Sequence, residues 1–132
     1  MGIVYSAVTK ITVDEAIDLY IRSSLGKRRP IDNRQAFEDM YRHANLIVSA
    51  WADGKLVGLA RTLTDFSYVA YLADLAVDAK FQRQGIGKQL IEETTSKLGN
   101  ACMLVLLAAP NAHSYYEHLG FEPHPRAWIQ KK

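Results

Sequence analysis

The residues best placed to do chemistry begin with Gln82-Arg83-Gln84-Gly85-Ile86-Gly87-Lys88. An extended apolar run, Tyr68 to Val77, precedes them. A helical pattern follows, with Ile86, Leu90, Ile91, Thr94 and Leu98 recurring on one side. A strand that turns through glycines into a helix brings unpaired, partly positive N–H groups to one point. Such a point binds phosphate or pyrophosphate through the backbone. Gly85 and Gly87 lack a Cβ and admit close approach, and Arg83 and Lys88 add positive charge. A Walker loop is excluded, because Gln89 follows Gly87-Lys88 and Gln82 stands where the first glycine is needed. A dinucleotide fingerprint is weak, because Leu90 replaces the third glycine. What remains is the pattern Gln/Arg-x-x-Gly-x-Gly/Ala. The bland alternative is a glycine turn that only starts a helix.

Two further groups attract attention. Asp74 interrupts Tyr71-Leu72-Ala73-Asp74-Leu75-Ala76-Val77, and a carboxylate there is costly to bury unless paired or functional. It can serve as a base, directly or through water, or as a structural carboxylate paired with Arg61. Tyr116 carries a phenol whose ordinary pKa, about 10, keeps it protonated and able to donate at neutral pH. On helical spacing alone a core aromatic is the commoner reading. His43, His113, His118 and His124 lack zinc-ligand spacing and Cys102 stands alone, so no metal site is expected. Cys102 reads as a buried apolar thiol within Ala101–Leu107.

The elements that must position these groups follow from pattern. Ile3 to Val8 reads as a strand. Thr12 or its neighbour can cap a helix with Ala16, Ile17, Leu19, Tyr20 and Ile21 as its apolar positions. Ser23 to Pro30 is a break whose Lys27-Arg28-Arg29 cluster reads first as a solvated loop, with a substrate or phosphate contact as the sharper alternative. Asp32 or Asn33 starts a second helix, with Ala36, Phe37, Met40 and Tyr41 on one face. Leu46–Trp51 and Lys55–Leu63 flank Asp53-Gly54, a strong hairpin signal, with Gly58 marking a bulge. Thr64–Ser67 turns the chain into the strand Tyr68–Val77. After the glycine loop and its helix, Gly99-Asn100 is a stop. Ala101–Leu107 then reads as a strand covered on both faces, parallel to its predecessor. Asn111 caps a short helix that ends at Gly120, and Ala127–Ile129 closes the sheet. The order is β-α-α-β-β-β-α-β-α-β, an α+β arrangement with a mixed, mostly antiparallel sheet.

At 132 residues, with 48% hydrophobic and 23% charged residues, the chain reads as one domain over residues 1–132. A net charge of +2 is too slight to argue for nucleic acid. No apolar stretch is long enough to span a membrane and no secretory pattern is seen. A cytoplasmic location is the expectation.

Together, Asp74-Leu75-Ala76-Val77 with Gln82–Gly87, and Asn111 with Tyr115-Tyr116-Glu117-His118-Leu119-Gly120-Phe121, resemble the two signatures of the GNAT superfamily of N-acetyltransferases. The resemblance covers essentially the whole chain. It implies acetyl-coenzyme A as donor and a primary amine as acceptor, whether a small molecule such as a polyamine or arylalkylamine, or a protein amine. Leu75, Ala76 and Val77 would pair with the pantetheine arm. Gln82, Arg83, Gln84, Gly85, Ile86, Gly87 and Lys88 would hold the pyrophosphate. Asn111 would contact the arm, with Ser114 near it. Tyr116 would donate to the departing sulfur, with Tyr115 as a packing residue. Asp74 remains either base or structural carboxylate. The segment Leu25–Asn33 and the hairpin Asp65-Phe66-Ser67 would shape the acceptor site. A coenzyme A-binding sensor on the same fold is the alternative, and a homodimer is compatible with either.

Overall fold

The hairpin residues Asp53 and Gly54 both take positive φ, 49° and 79°. Their twist matches that of the flanking strands. In the computed structural model, which describes residues 2–132, they join β2 (Leu46–Ala52) to β3 (Lys55–Thr64). β1 (Val4–Ser6) pairs antiparallel with β2. β3 runs antiparallel to β4 (Val69–Val77) through a turn in which the Asp65 carboxylate accepts from the N–H groups of Ser67, Tyr68 and Val69. A crossover through α3 (Ile86–Thr95) brings β5 (Met103–Leu106) parallel to β4. The sheet order is β1-β2-β3-β4-β5.

The helices cover both faces. α1 (Val13–Arg22) starts in a capping box between Thr12 and Glu15, and α2 (Arg34–Arg42) starts at Asn33. From these two, Leu19, Tyr20 and Phe37 pack on Leu59 and Ala76 of the sheet. On the opposite face, Ile86, Leu90 and Ile91 of α3 pack on Val48, Val57, Ala60 and Leu72. Tyr116, Leu119 and Phe121, from α4 (His113–His118) and its exit, complete that layer.

Two bulges shape the sheet. Ala50 pairs with Gly58 but Trp51 pairs with Leu56, so Val57 is an extra residue beside Gly58. A Cβ on Gly58 would stand 3.0 Å from both Ile86 and Leu90, so its absence lets α3 lie close on the sheet. The second bulge lies in β4. Arg61 pairs with Asp74 but Thr62 pairs with Leu72, leaving Ala73 unmatched. One extra residue inverts the alternation. Leu72 therefore faces α3, while Asp74 and Ala76, two and four residues later, face α1.

Several expectations are corrected. Ala127–Ile129 forms no strand, and Trp128 is 94% exposed. The sheet thus ends at β5. That strand is not covered on both faces, since Met103 and Val105 are exposed and only Leu104 and Leu106 turn inward. An apolar run is compatible with a half-covered edge strand, which periodicity alone does not distinguish. Cys102, its neighbour, is half-buried. Helix α4 is capped at Ala112 without a side-chain bond, one residue beyond Asn111.

Replacing Gly58 by Ala should overpack the α3 contact and cost about 1–3 kcal/mol. Urea denaturation should show a lower midpoint with an unchanged slope.

Candidate active site

β4 and β5 pair only from Val69–Leu72 against Met103–Leu106. Beyond the bulge, Asp74–Val77 stay paired to β3 while β5 ends and the chain departs through Leu107. The two strands therefore part in a V, with one edge of β4 free of a β5 partner.

The glycine turn closes one end of this V. Asp78, directly after β4, accepts from the Lys80 N–H at 2.9 Å and from Arg22 Nη1 at 2.5 Å, while its own N–H donates to Val57. The turn is thus tied to α1 and β3 before it begins. Arg83 (φ 64°) and Gly85 (φ 82°) then reverse the chain into the first turn of α3. Gly85 is the cap residue and no side chain caps the helix start. This leaves its N–H groups free for an anion.

The other wall is α4. Its end is a Schellman motif: the Gly120 N–H donates to the Glu117 carbonyl and the Phe121 N–H to the Tyr116 carbonyl, with Gly120 at φ 90°. The accompanying apolar contact is Phe121 edge-on to Tyr116, with centroids 5.7 Å apart. Tyr116 is also edge-on to Tyr115 at 5.2 Å. Its phenol is thus held between two rings. Tyr115 packs against the glycine turn itself. Its hydroxyl would stand 2.5 Å from a Cβ on Gly87, so the missing side chain there is what lets the phenol reach the glycine turn.

These walls enclose a cavity of about 810 Å³. Leu75, Ala76 and Val77 line it, as do Gln82, Arg83, Gly85, Ile86, Gly87 and Lys88 of the turn, and Asn111 and Tyr116. Gln84, Ser114 and Asp74 are not among its lining residues. The hairpin Asp65-Phe66-Ser67 lies elsewhere. It precedes the paired end of β4, and the Phe66 carbonyl accepts from the Gly99 N–H beyond α3. Leu25, Arg28 and Arg29 do line the cavity, so the cationic cluster is not simply a solvated loop.

A model of the acetyltransferase (GNAT) domain matches residues 27–131. The chain belongs to the GNAT acetyltransferase family. It is 31% identical over 101 residues to the uncharacterized N-acetyltransferase ycf52 of Gracilaria tenuistipitata var. liui, an overlap of 74% of this chain and 56% of that protein. The chain spans between 28% and 56% of the length of the curated relatives it matches. A probable acetyltransferase of Staphylococcus aureus superposes with a TM-score of 0.79 at 20% identity, covering 99% of each chain. The acetyltransferase AAC(6')-Iy, solved with a coenzyme A bisubstrate analogue, superposes at 0.76 and 22% identity, covering 100% of this chain and 99% of that one.

In this GNAT chain the region behind the V is organised by Asp74. Tyr20 donates to its Oδ2 at 2.5 Å and Arg61 Nε donates to the same oxygen at 2.7 Å. Arg29 Nε donates to Oδ1 at 2.6 Å, and Arg29 Nη2 donates to the bulge carbonyl of Ala73 at 2.9 Å. Burial alone would raise the Asp74 pKa. The hydrogen bond and charge of Arg61, the Tyr20 hydroxyl and the Arg29 charge outweigh it and hold the carboxyl below its usual range. A carboxylate so saturated with donors is a weak proton acceptor. Burial pushes the Tyr116 phenol above its ordinary value; Tyr115 adds to this and Arg28 opposes it.

Sequence reasoning missed Tyr20, Tyr41 and Arg29 as parts of one network. Each reads locally as helix core or loop; only the tertiary fold brings Tyr20 and Arg29 to Asp74, with the Tyr41 hydroxyl 2.8 Å behind that of Tyr20. Gly26 was the available signal: a Cβ there would stand 2.7 Å from the Tyr20 carbonyl, which implies a close approach.

Asp74→Asn should cost about 3–5 kcal/mol, because it leaves two guanidinium groups without their counter-charge. The native pKa is depressed, so the carboxylate stabilises the fold fully above its unfolded value, about 3.9. That contribution is lost as pH falls from there through the lower native value. Denaturation midpoints of the folded variant should therefore fall less steeply with acid than those of the parent.

Proposed function

We propose that the chain transfers an acetyl group from acetyl-coenzyme A to a primary amine by direct attack within a ternary complex. The reading is carried by one observation: the open edge of β4, the uncapped glycine turn and the Tyr116 phenol share a single cavity. The family supports it, as does the structural neighbour solved with a coenzyme A analogue.

In this reading the turn N–H groups, with Arg83 and Lys88 beside them, hold the diphosphate. Main-chain groups of Leu75, Ala76 and Val77 pair with the pantetheine arm, and Asn111 contacts it from the α4 side. The amine nitrogen attacks the thioester carbonyl carbon. A preorganised backbone N–H at the V stabilises the developing oxyanion. As the C–S bond breaks, the Tyr116 hydroxyl donates its proton to the sulfur and regains one from solvent. The proton lost by the amine passes to water, since Asp74 already accepts from three side chains. Asp74 then acts by position: through Arg29 it holds the bulge from which the V opens.

The deciding experiment is thioester consumption with an amine panel, alongside calorimetric titration of acetyl-coenzyme A. Binding without amine-dependent turnover would assign a coenzyme A sensor instead. Tyr116→Phe should fold normally and lose about 10²- to 10⁴-fold in kcat, the range for a lost proton donor, with little change in KM for acetyl-coenzyme A. Because burial raises the phenol's pKa, the proton stays in place beyond about pH 10. The rate should rise with pH as the amine deprotonates and show no falling limb below that value; a fall near neutrality would remove Tyr116 from the role.

A further inference from the structure

The cavity wall contains four cations, Arg28, Arg29, Arg83 and Lys88, and no aspartate or glutamate. Three of them have a partner or an assigned task. Arg29 is paired with Asp74. Arg83 and Lys88 flank the uncapped turn that the proposed function assigns to the diphosphate. Arg28 alone is left without one. Among the described residues its guanidinium makes no hydrogen bond or ion pair; only its main-chain carbonyl is engaged, by Arg29 Nη1 at 2.8 Å.

The backbone that carries Arg28 is nevertheless firmly held. It ends a 3₁₀ turn, Ser24–Arg28, whose Leu25 is buried and whose Gly26 fits against the Tyr20 carbonyl only because it lacks a Cβ. On its far side, Arg29 grips Asp74 and the Ala73 carbonyl. A flexible side chain is thus mounted on a fixed base, in the wall of the same cavity as Tyr116. It is close enough for its charge to act on that phenol.

We infer that Arg28 reads an anionic group on the acceptor, so that the amine acetylated here also bears a carboxylate or phosphate. The inference rests on the acetyltransferase reading above. A guanidinium fork pairs with either group through two parallel hydrogen bonds. The same charge works against a polyamine or aminoglycoside, whose second ammonium would meet an unpaired cation and no carboxylate in the wall.

The test compares matched acceptors by kcat/KM: an α-amino acid against its amide, phosphoethanolamine against ethanolamine, and spermidine. The parent chain should favour the anionic member of at least one pair by about 10- to 100-fold, the range for a charge-assisted hydrogen bond, and the favoured pair tells carboxylate from phosphate. Arg28→Gln should raise KM for that member and close the gap, Arg28→Lys should keep part of it, and Arg28→Glu should shift preference toward spermidine. Two results would overturn the inference while leaving the transferase reading intact. One is equal or better turnover of the neutral or polycationic amines by the parent. The other is an Arg28→Gln variant that raises KM for acetyl-coenzyme A and leaves the acceptor ratio unchanged. Absence of amine-dependent turnover with every acceptor, despite acetyl-coenzyme A binding, would overturn both.

Discussion

Asp74 ties three separate parts of the chain to one point: Tyr20 of α1, Arg61 of β3, and Arg29 at the end of the 3₁₀ turn. It reaches them because the bulge at Ala73 inverts the alternation of β4 and turns Asp74 toward α1 rather than α3. The constraint runs both ways. Arg29 also donates to the Ala73 carbonyl, so the carboxylate and the bulge are held by the same guanidinium. Pairing with β5 stops one residue before that bulge, at Leu72. The V is therefore anchored from behind by a buried charge, and the wall bearing Arg28 is anchored by the same charge.

The other half of the site uses backbone devices. Two positive φ angles, at Arg83 and Gly85, set the start of α3, and a third, at Gly120, sets the end of α4. The Schellman motif at Gly120 fixes which face of α4 carries Tyr116, because Phe121 packs edge-on to it. Gly87 then determines how near α4 can come, since the Tyr115 hydroxyl occupies the space that a Cβ would take. The glycine turn and the phenol-bearing helix are thus fitted to one another directly, apart from the charge network on the opposite face.

What the sequence made legible was local. Asp53-Gly54 specifies a two-residue hairpin, Thr12 marks a helix start, and Gly120 with Phe121 specifies a helix end; in each, neighbours in sequence do the bonding. The glycine turn was legible for the same reason. The bulge at Ala73 was not, because an extra residue in a strand shows only against its partner. Arg29 was read as a solvated loop residue because its partners lie 44 and 45 positions away. The run Ala101–Leu107 read as a two-sided strand because apolar content does not reveal that α1 and α2 stop short of it. The final segment was strand-like in composition, yet its register is set by nothing nearby, and Trp128 lies in solvent.

A buried ion pair is weak evidence for stability, since removing charges from water costs several kcal/mol per ion and well-packed apolar residues often do as well. The Asp74 network is therefore better understood by what it orients. Methionine or leucine at positions 29, 61 and 74 could fill comparable volume, but none has a donor for the Ala73 carbonyl, and none fixes a direction as a guanidinium fork does. The 3₁₀ turn would then rest on Leu25 and Gly26 alone, and Arg28 would lose its fixed mounting. Stability can be supplied by packing. A bulge held at one residue, with a cation mounted in the cleft wall beside it, needs directional bonds, and the Asp74 carboxylate supplies a common acceptor for them.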